Sequence, residues 1–96
     1  MPRARFVVRG FVQGVNFRST TVREAIRLGV TGRVWNGDDG SVEVIAEGDA
    51  TALAAMQSWL NAGPRGAQVS EVERIDLEGT SRYDGFNMTR TAPREG

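Results

Sequence analysis

Two helical patterns, separated and flanked by strand patterns, constrain the fold more than any other feature of this sequence. Between residues 22 and 29 the apolar residues recur three and four positions apart, which predicts one helical face against a core. Ser19 or Thr20 can cap the start of this helix. A second helix is predicted to begin at Asp49, a capping residue, and to end at Gly63-Pro64. The predicted buried positions are Val22, Ala25, Ile26 and Gly29 in the first helix and Leu53, Met56 and Leu60 in the second.

Five strand patterns surround these helices. They are short runs bounded by turn residues, over residues 5–9, 31–36, 41–47, 69–77 and 83–90. In the third run the apolar residues alternate with Glu43 and Glu47, which predicts a polar face that carries both glutamates. In the fourth run the alternation slips between Val72 and Ile75, and this slip predicts a bulge or a twist.

The order of these elements is β-α-β-β-α-β with a short extra C-terminal strand. Two helices packed on one face of a mainly antiparallel sheet form the ferredoxin-like α+β sandwich, which is the fold that we predict. A chain of 96 residues has the length of one domain. We therefore expect a single domain over residues 1–96, with an ordered core over about residues 4–90 and a flexible tail over residues 91–96.

Composition excludes several classes of function. The formal net charge is zero, which argues against a general nucleic-acid binder. The chain contains neither cysteine nor histidine, so disulfides, thiolate nucleophiles, histidine bases and the usual zinc sites are excluded. No apolar run has the length of a membrane span, and the N-terminus does not resemble a signal peptide. We expect a cytoplasmic monomer without a metal or a cofactor.

Acidic and aromatic residues outside the helices favour structural roles. Asp38, Asp39 and Glu43 lie across a turn and a strand without the spacing of metal ligands, so they predict a solvated acidic edge. Trp35 and Trp59 are interpreted as packing residues. The order of elements also occurs in RNA-recognition modules, but the third strand lacks the aromatic residues that stack on bases.

The segment from Gly10 to Arg18 is the strongest candidate for chemistry. A strand pattern stops at Gly10, a loop with Gly14 follows, and Arg18 stands where a helix begins. Gly14 and Asn16 tolerate left-handed backbone, which lets successive N–H groups converge on one point. Those N–H groups and a guanidinium can bind a tetrahedral oxyanion. From spacing alone, an ordinary glycine-containing connection with a solvated arginine is the favoured interpretation, and the anion site is the alternative.

Asn36 has two possible roles. Asn36-Gly37 is a favoured hairpin dipeptide, and Asp39-Gly40 is another turn signal, so Asn36 can be a turn residue. Residues at strand ends beside loops also carry function in many proteins, so Asn36 can be a functional residue as well. The residues alone leave both roles open.

The run Gly10-x-Val12-Gln13-Gly14-Val15-x-Phe17-Arg18 resembles the signature of the acylphosphatase family, and further matches follow along the chain. They are Gly32-x-Val34-x-Asn36-x-x-Asp39-Gly40-Ser41-Val42-Glu43, then Gly63-Pro64, then Phe86-x-Met88-x-Arg90. The resemblance spans roughly residues 4–90 and implies the same ferredoxin-like fold. It implies that Arg18 binds phosphate and that Asn36 holds the attacking water. It also implies a cradle of backbone N–H groups from Gln13, Gly14, Val15, Asn16 and Phe17. The chain departs from the pattern at Asn16 and Arg33, where many members have glycine and tryptophan.

The resemblance implies hydrolysis of the carboxyl-phosphate bond of acyl phosphates. An acyl phosphate is a mixed anhydride whose carboxylate leaves without a general acid, so an arginine, N–H groups and a water-orienting amide can suffice without metal. Inorganic phosphate is expected as both product and inhibitor. A non-catalytic module that binds phosphate or another anion on the same fold is the alternative, and an RNA-binding domain is a weaker third.

Overall fold

The structure, a computed structural model, describes residues 1–93 and contains five strands and two helices in that range. Residues 91–93 belong to neither a helix nor a strand, and residues 94–96 lie outside the described residues. The flexibility of the predicted tail therefore stays a prediction. The elements in chain order are β1 (Arg3–Phe11), α1 (Phe17–Leu28), β2 (Thr31–Asn36), β3 (Val42–Glu47), α2 (Ala50–Ala62), β4 (Gln68–Leu77) and β5 (Phe86–Met88).

The strands form one sheet in the order β4-β1-β3-β2-β5. β1 pairs antiparallel with β3 and β4, and β2 pairs antiparallel with β3. Only the short β5 is parallel to its neighbour β2. Both helices contribute to a single buried cluster together with the sheet. The predicted ferredoxin-like α+β fold with a short extra strand is confirmed. Neither helix among residues 1–93 is long and apolar enough to cross a lipid bilayer.

Helix α2 follows its sequence pattern closely. The Asp49 carboxylate accepts a hydrogen bond from the backbone N–H of Ala52 at 2.8 Å, which caps the helix as predicted. Gly63, with a φ of 70°, ends it. The predicted stripe is fully buried and consists of Leu53, Met56 and Leu60. The N-cap, the glycine that ends the helix and the apolar spacing are all local signals, and the structure agrees with each of them.

Helix α1 begins earlier than predicted and presents a different face. It starts at Phe17, so Ser19 and Thr20 lie inside the first turn and donate their hydroxyls to the Asn16 carbonyl instead of capping the helix. Its buried residues are Phe17, Thr21 and Ala25. The predicted burial of Ile26 and Gly29 is wrong, since Ile26 is 63% exposed and Gly29, the C-cap residue of α1, is exposed as well. Burial of the large Phe17 ring rotates the buried face toward positions spaced four apart, away from Ile26.

The predicted irregularity of β4 exists but lies elsewhere. Pairing with β1 continues without a break from Val72 to Ile75, and the register shifts at Ser70, opposite Arg9 and Gly10. A Cβ atom on Gly10 would lie 2.1 Å from the Gln68 carbonyl oxygen, so the chains approach closely there. The slip in the sequence has another cause: Arg74 takes the position of an apolar residue and lies over the Phe6 ring.

Glu47 is the second correction within the sheet. Its carboxylate is fully buried, not on a polar face. It accepts hydrogen bonds from the Arg3 guanidinium at 2.9 Å and from the backbone N–H groups of Arg82 at 2.8 Å and Tyr83 at 3.0 Å. Burial alone would raise the pKa of Glu47, but these hydrogen bonds outweigh it and lower the pKa below its ordinary value. The β4–β5 loop is thereby fixed over the end of β3.

Candidate functional site

The loop between β1 and α1 leaves most of its backbone N–H groups without an acceptor among residues 1–93. Gly14 has a φ of 79°, and Asn16, at the N-cap of α1, has a φ of 59° and a ψ of 27°. Within residues 1–93, Asn16 is the only residue other than glycine with a positive φ. In the same range, the backbone N–H groups of Gln13, Gly14, Asn16 and Phe17 donate no hydrogen bond to another residue. Four donors at a helix start are therefore available to an anion.

Arg18 lies in the first turn of α1, beside this loop. Its guanidinium is half-buried and donates one hydrogen bond, at 3.4 Å, to the Thr89 carbonyl just after β5. No carboxylate among the described residues pairs with it. Its charge is thus not neutralised by a fixed acid. The loop and Arg18 border a surface depression of about 250 Å³. Its lining residues are Gly14, Asn16, Arg18, Ser19 and Met88.

Asn36 ends β2 and is half-buried. It lines a different depression of about 310 Å³, together with Trp35 and Arg90 among others. Arg18 and Asn36 therefore do not line the same depression. Thr89 connects their elements: its N–H donates to the Val34 carbonyl on β2 at 2.8 Å, and its carbonyl accepts from Arg18.

The side chain of Gln13 joins the loop to the hairpin that follows Asn36. Its Nε2 atom donates to the Gly37 carbonyl at 3.0 Å and to the Ser41 carbonyl at 2.8 Å. The sequence predicted only a backbone role for Gln13. No periodicity or spacing signals a contact across 24 and 28 residues, so sequence reasoning missed it.

The acidic residues of the hairpin are held by arginines and turn contacts. The Asp39 carboxylate accepts hydrogen bonds from the Ser41 hydroxyl and N–H and from Arg9 at 2.8 Å, and these contacts hold its pKa well below the usual range. Glu43 pairs with Arg5. Across residues 1–93, no three acidic side chains lie close enough together to hold a metal ion. Asp39 thus belongs to a solvated, charge-balanced edge, whereas the predicted solvation of Glu43 is wrong, because its side chain is only 16% exposed.

Both tryptophans have packing roles. Trp35 is 4% exposed, and Arg5 lies 5.8 Å from its ring centroid. Trp59 packs edge-on against Phe17, with 5.9 Å between the ring centroids. Arg33, where many sequences with this signature have tryptophan, lies 4.7 Å from the Tyr83 ring centroid. It therefore covers the edge of the sheet by stacking on an aromatic side chain.

The acylphosphatase family model matches residues 4–88, which include Arg18 and Asn36. The acylphosphatase of Pasteurella multocida (strain Pm70) is 43% identical over 88 residues, 92% of this chain and 98% of the relative. That of Paraburkholderia xenovorans (strain LB400) is 49% identical over 81 residues, 84% of either chain. The crystal structure of acylphosphatase from Bacillus subtilis superposes with a TM-score of 0.89 at 31% identity, over 93% of this chain and 99% of that one.

Proposed function

The chain belongs to the acylphosphatase family and is an acylphosphatase, and from that premise we propose how its residues divide the reaction between them. Arg18 and the backbone N–H groups of residues 13–17 bind the phosphoryl group, and Asn36 orients the attacking water. The observation that carries this proposal is the set of N–H donors at the start of α1 that are unused within residues 1–93, beside a guanidinium that has no acidic partner in the same range.

Phosphate recognition follows from the loop conformation. The left-handed backbone at Gly14 and Asn16 turns successive N–H groups toward one side, as in other anion-binding loops. The positive end of the α1 dipole adds to the same field. The Arg18 guanidinium offers a planar fork that matches two phosphate oxygens. These donors stabilise the charge that spreads over the equatorial oxygens during phosphoryl transfer.

The chemical step needs little more than positioning. The water oxygen forms a bond to phosphorus while the bond from phosphorus to the acyl oxygen breaks, and the electron pair leaves with the carboxylate. That leaving group is stable at neutral pH, because a carboxyl group has a pKa of about 4. The Asn36 amide carbonyl accepts a hydrogen bond from the water and thereby aligns it. A phosphate oxygen receives the proton that the water releases. No histidine or cysteine is required, and the chain has neither.

The substrate is an acyl phosphate, and inorganic phosphate is a ligand of the same site. We propose competitive inhibition by inorganic phosphate, since the product fits the cradle that held the phosphoryl group. We further propose that the chain works as a monomer, because every residue of the proposed site comes from one chain. Its zero net charge supports a small-molecule substrate instead of a nucleic acid. A cytoplasmic location completes the proposal, because ionic acyl phosphates do not cross a bilayer unaided.

Hydrolysis of benzoyl phosphate by the wild type and by Asn36→Ala tests this assignment. Loss of one oriented polar group at a transition state typically costs about 10²–10³ in turnover. We expect that loss in Asn36→Ala with an unchanged inhibition constant for inorganic phosphate. Asn87→Ala, which alters an exposed asparagine on β5, is the matched control and should behave as wild type.

Two results would contradict the proposal. If Asn36→Ala melts at a lower temperature but keeps its turnover per folded molecule, Asn36 serves only the turn. If the wild-type chain binds phosphate but does not hydrolyse benzoyl phosphate, the chain is an anion-binding module.

A further inference from the structure

We define the phosphate loop as residues 12–16 and the hairpin turn as residues 37–41. Within residues 1–93, the Gln13 side chain makes the only hydrogen bonds between the phosphate loop and the hairpin turn. Both amide hydrogens of Gln13 are used, one on the Gly37 carbonyl at 3.0 Å and one on the Ser41 carbonyl at 2.8 Å. The contact is partly buried, so water competes for it less than at an open surface.

These two carbonyls hold the ends of the turn. The Gly37 N–H donates to the Ser41 carbonyl at 2.8 Å and closes the turn, and Gly37 follows Asn36 directly in the chain. The Gln13 side chain hydrogen-bonds to both ends of the turn and therefore fixes the backbone next to Asn36. The same residue contributes its backbone to the phosphate loop. Gln13 thus links the phosphate-binding half of the proposed site to the half that contains Asn36.

Within residues 1–93, no other hydrogen bond joins the phosphate loop to the hairpin turn, although Arg9 on β1 also contacts Asp39 of the turn at 2.8 Å. β1 and β2 are not neighbours in the sheet, and β3 lies between them. The phosphate loop leaves β1 after Phe11, and Asn36 is the last residue of β2, so both stand where the strand ladders end. Their relative placement is therefore less constrained than that of residues within the ladders. A misplacement of about 1 Å can cost on the order of 10²-fold in rate.

We propose that the Gln13 side chain is a positioning residue, which holds Asn36 in register with the phosphate loop. This inference rests on the role of Asn36 in the proposed function. In this role the side-chain amide of Gln13 contacts neither the water nor the phosphoryl group. It fixes the distance between the water that Asn36 aligns and the phosphorus atom bound in the loop.

The turn has enough other support to survive loss of this amide. The Ser41 carbonyl keeps the Gly37 N–H, and the Gly37 carbonyl keeps a contact from the Gly40 N–H at 3.4 Å. Gln13→Met preserves the length of the side chain and removes both donors. Gln13→Glu also preserves the shape but turns a carboxylate toward two carbonyl oxygens. Both variants should fold, and neither removes a backbone N–H from the loop.

The test measures kcat on benzoyl phosphate, the inhibition constant of inorganic phosphate and the melting temperature. We expect Gln13→Met to lower kcat about 10- to 100-fold, by misplacement of the water, and Gln13→Glu to lower it at least as far. The inhibition constant should stay within about twofold, because phosphate contacts only the loop and Arg18. Gln57→Met is the matched control: Gln57 on α2 makes a partly buried hydrogen bond with Arg74 at 3.0 Å, far from the loop in sequence. It should lower stability without lowering kcat.

The double variant Gln13→Met/Asn36→Ala separates a positioning role from a merely structural one. If Gln13 acts through Asn36, its substitution adds nothing to the loss already caused by Asn36→Ala. The inference is overturned if Gln13→Met keeps the wild-type kcat while Asn36→Ala loses it. It is also overturned if the two losses multiply, or if the loss appears in the inhibition constant instead. A wild-type kcat in Asn36→Ala marks a different failure, that of the role assigned to Asn36, and the positioning role then falls with it.

Discussion

Substitution of Asn16 separates backbone geometry from side-chain chemistry in the phosphate loop. Asn16 holds a φ of 59°, and its side chain makes no capping hydrogen bond. Its carbonyl, which any residue would keep, accepts from the Thr20 N–H at 3.1 Å and from two hydroxyls. A change of side chain at this exposed position therefore removes no hydrogen bond within the described residues. What it changes is the energy of the left-handed backbone.

The expected magnitudes follow from that energy. An L-residue pays roughly 1–2 kcal/mol in the left-handed region, less for asparagine and most for β-branched residues. Asn16→Gly removes this cost but adds up to about 1 kcal/mol of backbone entropy in the unfolded chain, so the two effects nearly cancel. Asn16→Val brings the full strain, and the loop relieves it by rotating its N–H groups. A loss of about 1–2 kcal/mol corresponds to phosphate binding that is roughly 5- to 30-fold weaker.

The assay is the inhibition constant of inorganic phosphate, measured together with kcat and chemical denaturation on one preparation. Asn87→Val is the matched control, because it makes the same change in the extended backbone of β5. We expect weaker phosphate binding in Asn16→Val, and near wild-type binding in Asn16→Gly and Asn87→Val. Equal losses in both Asn16 variants would refute the reasoning, since the asparagine amide itself would then contact the substrate.

Three further outcomes are expected. Arg18→Ala should weaken phosphate binding by about 2–5 kcal/mol, and Arg18→Lys should fail as well because the bidentate fork is lost; near-full activity in either variant, by benzoyl phosphate hydrolysis, would remove Arg18 from the site. Turnover should persist after dialysis against a strong chelator, because the mechanism uses only an arginine, N–H groups and an amide, and a strict need for divalent ions would overturn it. Glu47→Gln should destabilise the fold by about 3–5 kcal/mol at pH 7. Because the folded pKa of Glu47 is lowered, its contribution is present above the unfolded value of about 4.3 and is lost as the pH falls through the folded pKa. The difference in free energy of unfolding between wild type and Glu47→Gln, measured by urea denaturation, should therefore be smaller at pH 3 than at pH 7. An equal difference at both pH values would contradict the pKa argument.

Local signals in the sequence predicted the elements that depend on local physics. The cap at Asp49, the stop at Gly63 and the buried stripe of α2 are set by residues within one helix, and the structure has all of them. The left-handed conformation at Asn16 also follows from a local preference and is present. The resemblance to a known family added the prediction that Arg18 and Asn36 serve one site, which no spacing could supply and which stays a prediction.

The errors arose where distant residues decide the outcome. The face of α1 is set by burial of Phe17, so Ile26 is exposed despite its helical spacing. The β4 irregularity follows the close approach of Gly10 on β1, which the sequence of β4 cannot reveal. Glu47 alternates like a surface residue, yet the β4–β5 loop covers it and supplies its hydrogen bonds. In each case the missing information lay in a partner many residues away.

Glu47 and Gln13 perform the same physical task at different ends of the sheet. Each is a polar side chain that binds backbone groups of a loop, two N–H groups for Glu47 and two carbonyls for Gln13. A chain of 96 residues has a small core, so apolar burial alone cannot fix every loop. Glu47 fixes the loop that leads into β5, and the residue after β5, Thr89, contacts Arg18. Because the side chains of Glu47 and Gln13 hold these loops, we expect that substitution of either side chain alters the proposed site, although neither side chain is assigned a contact with substrate.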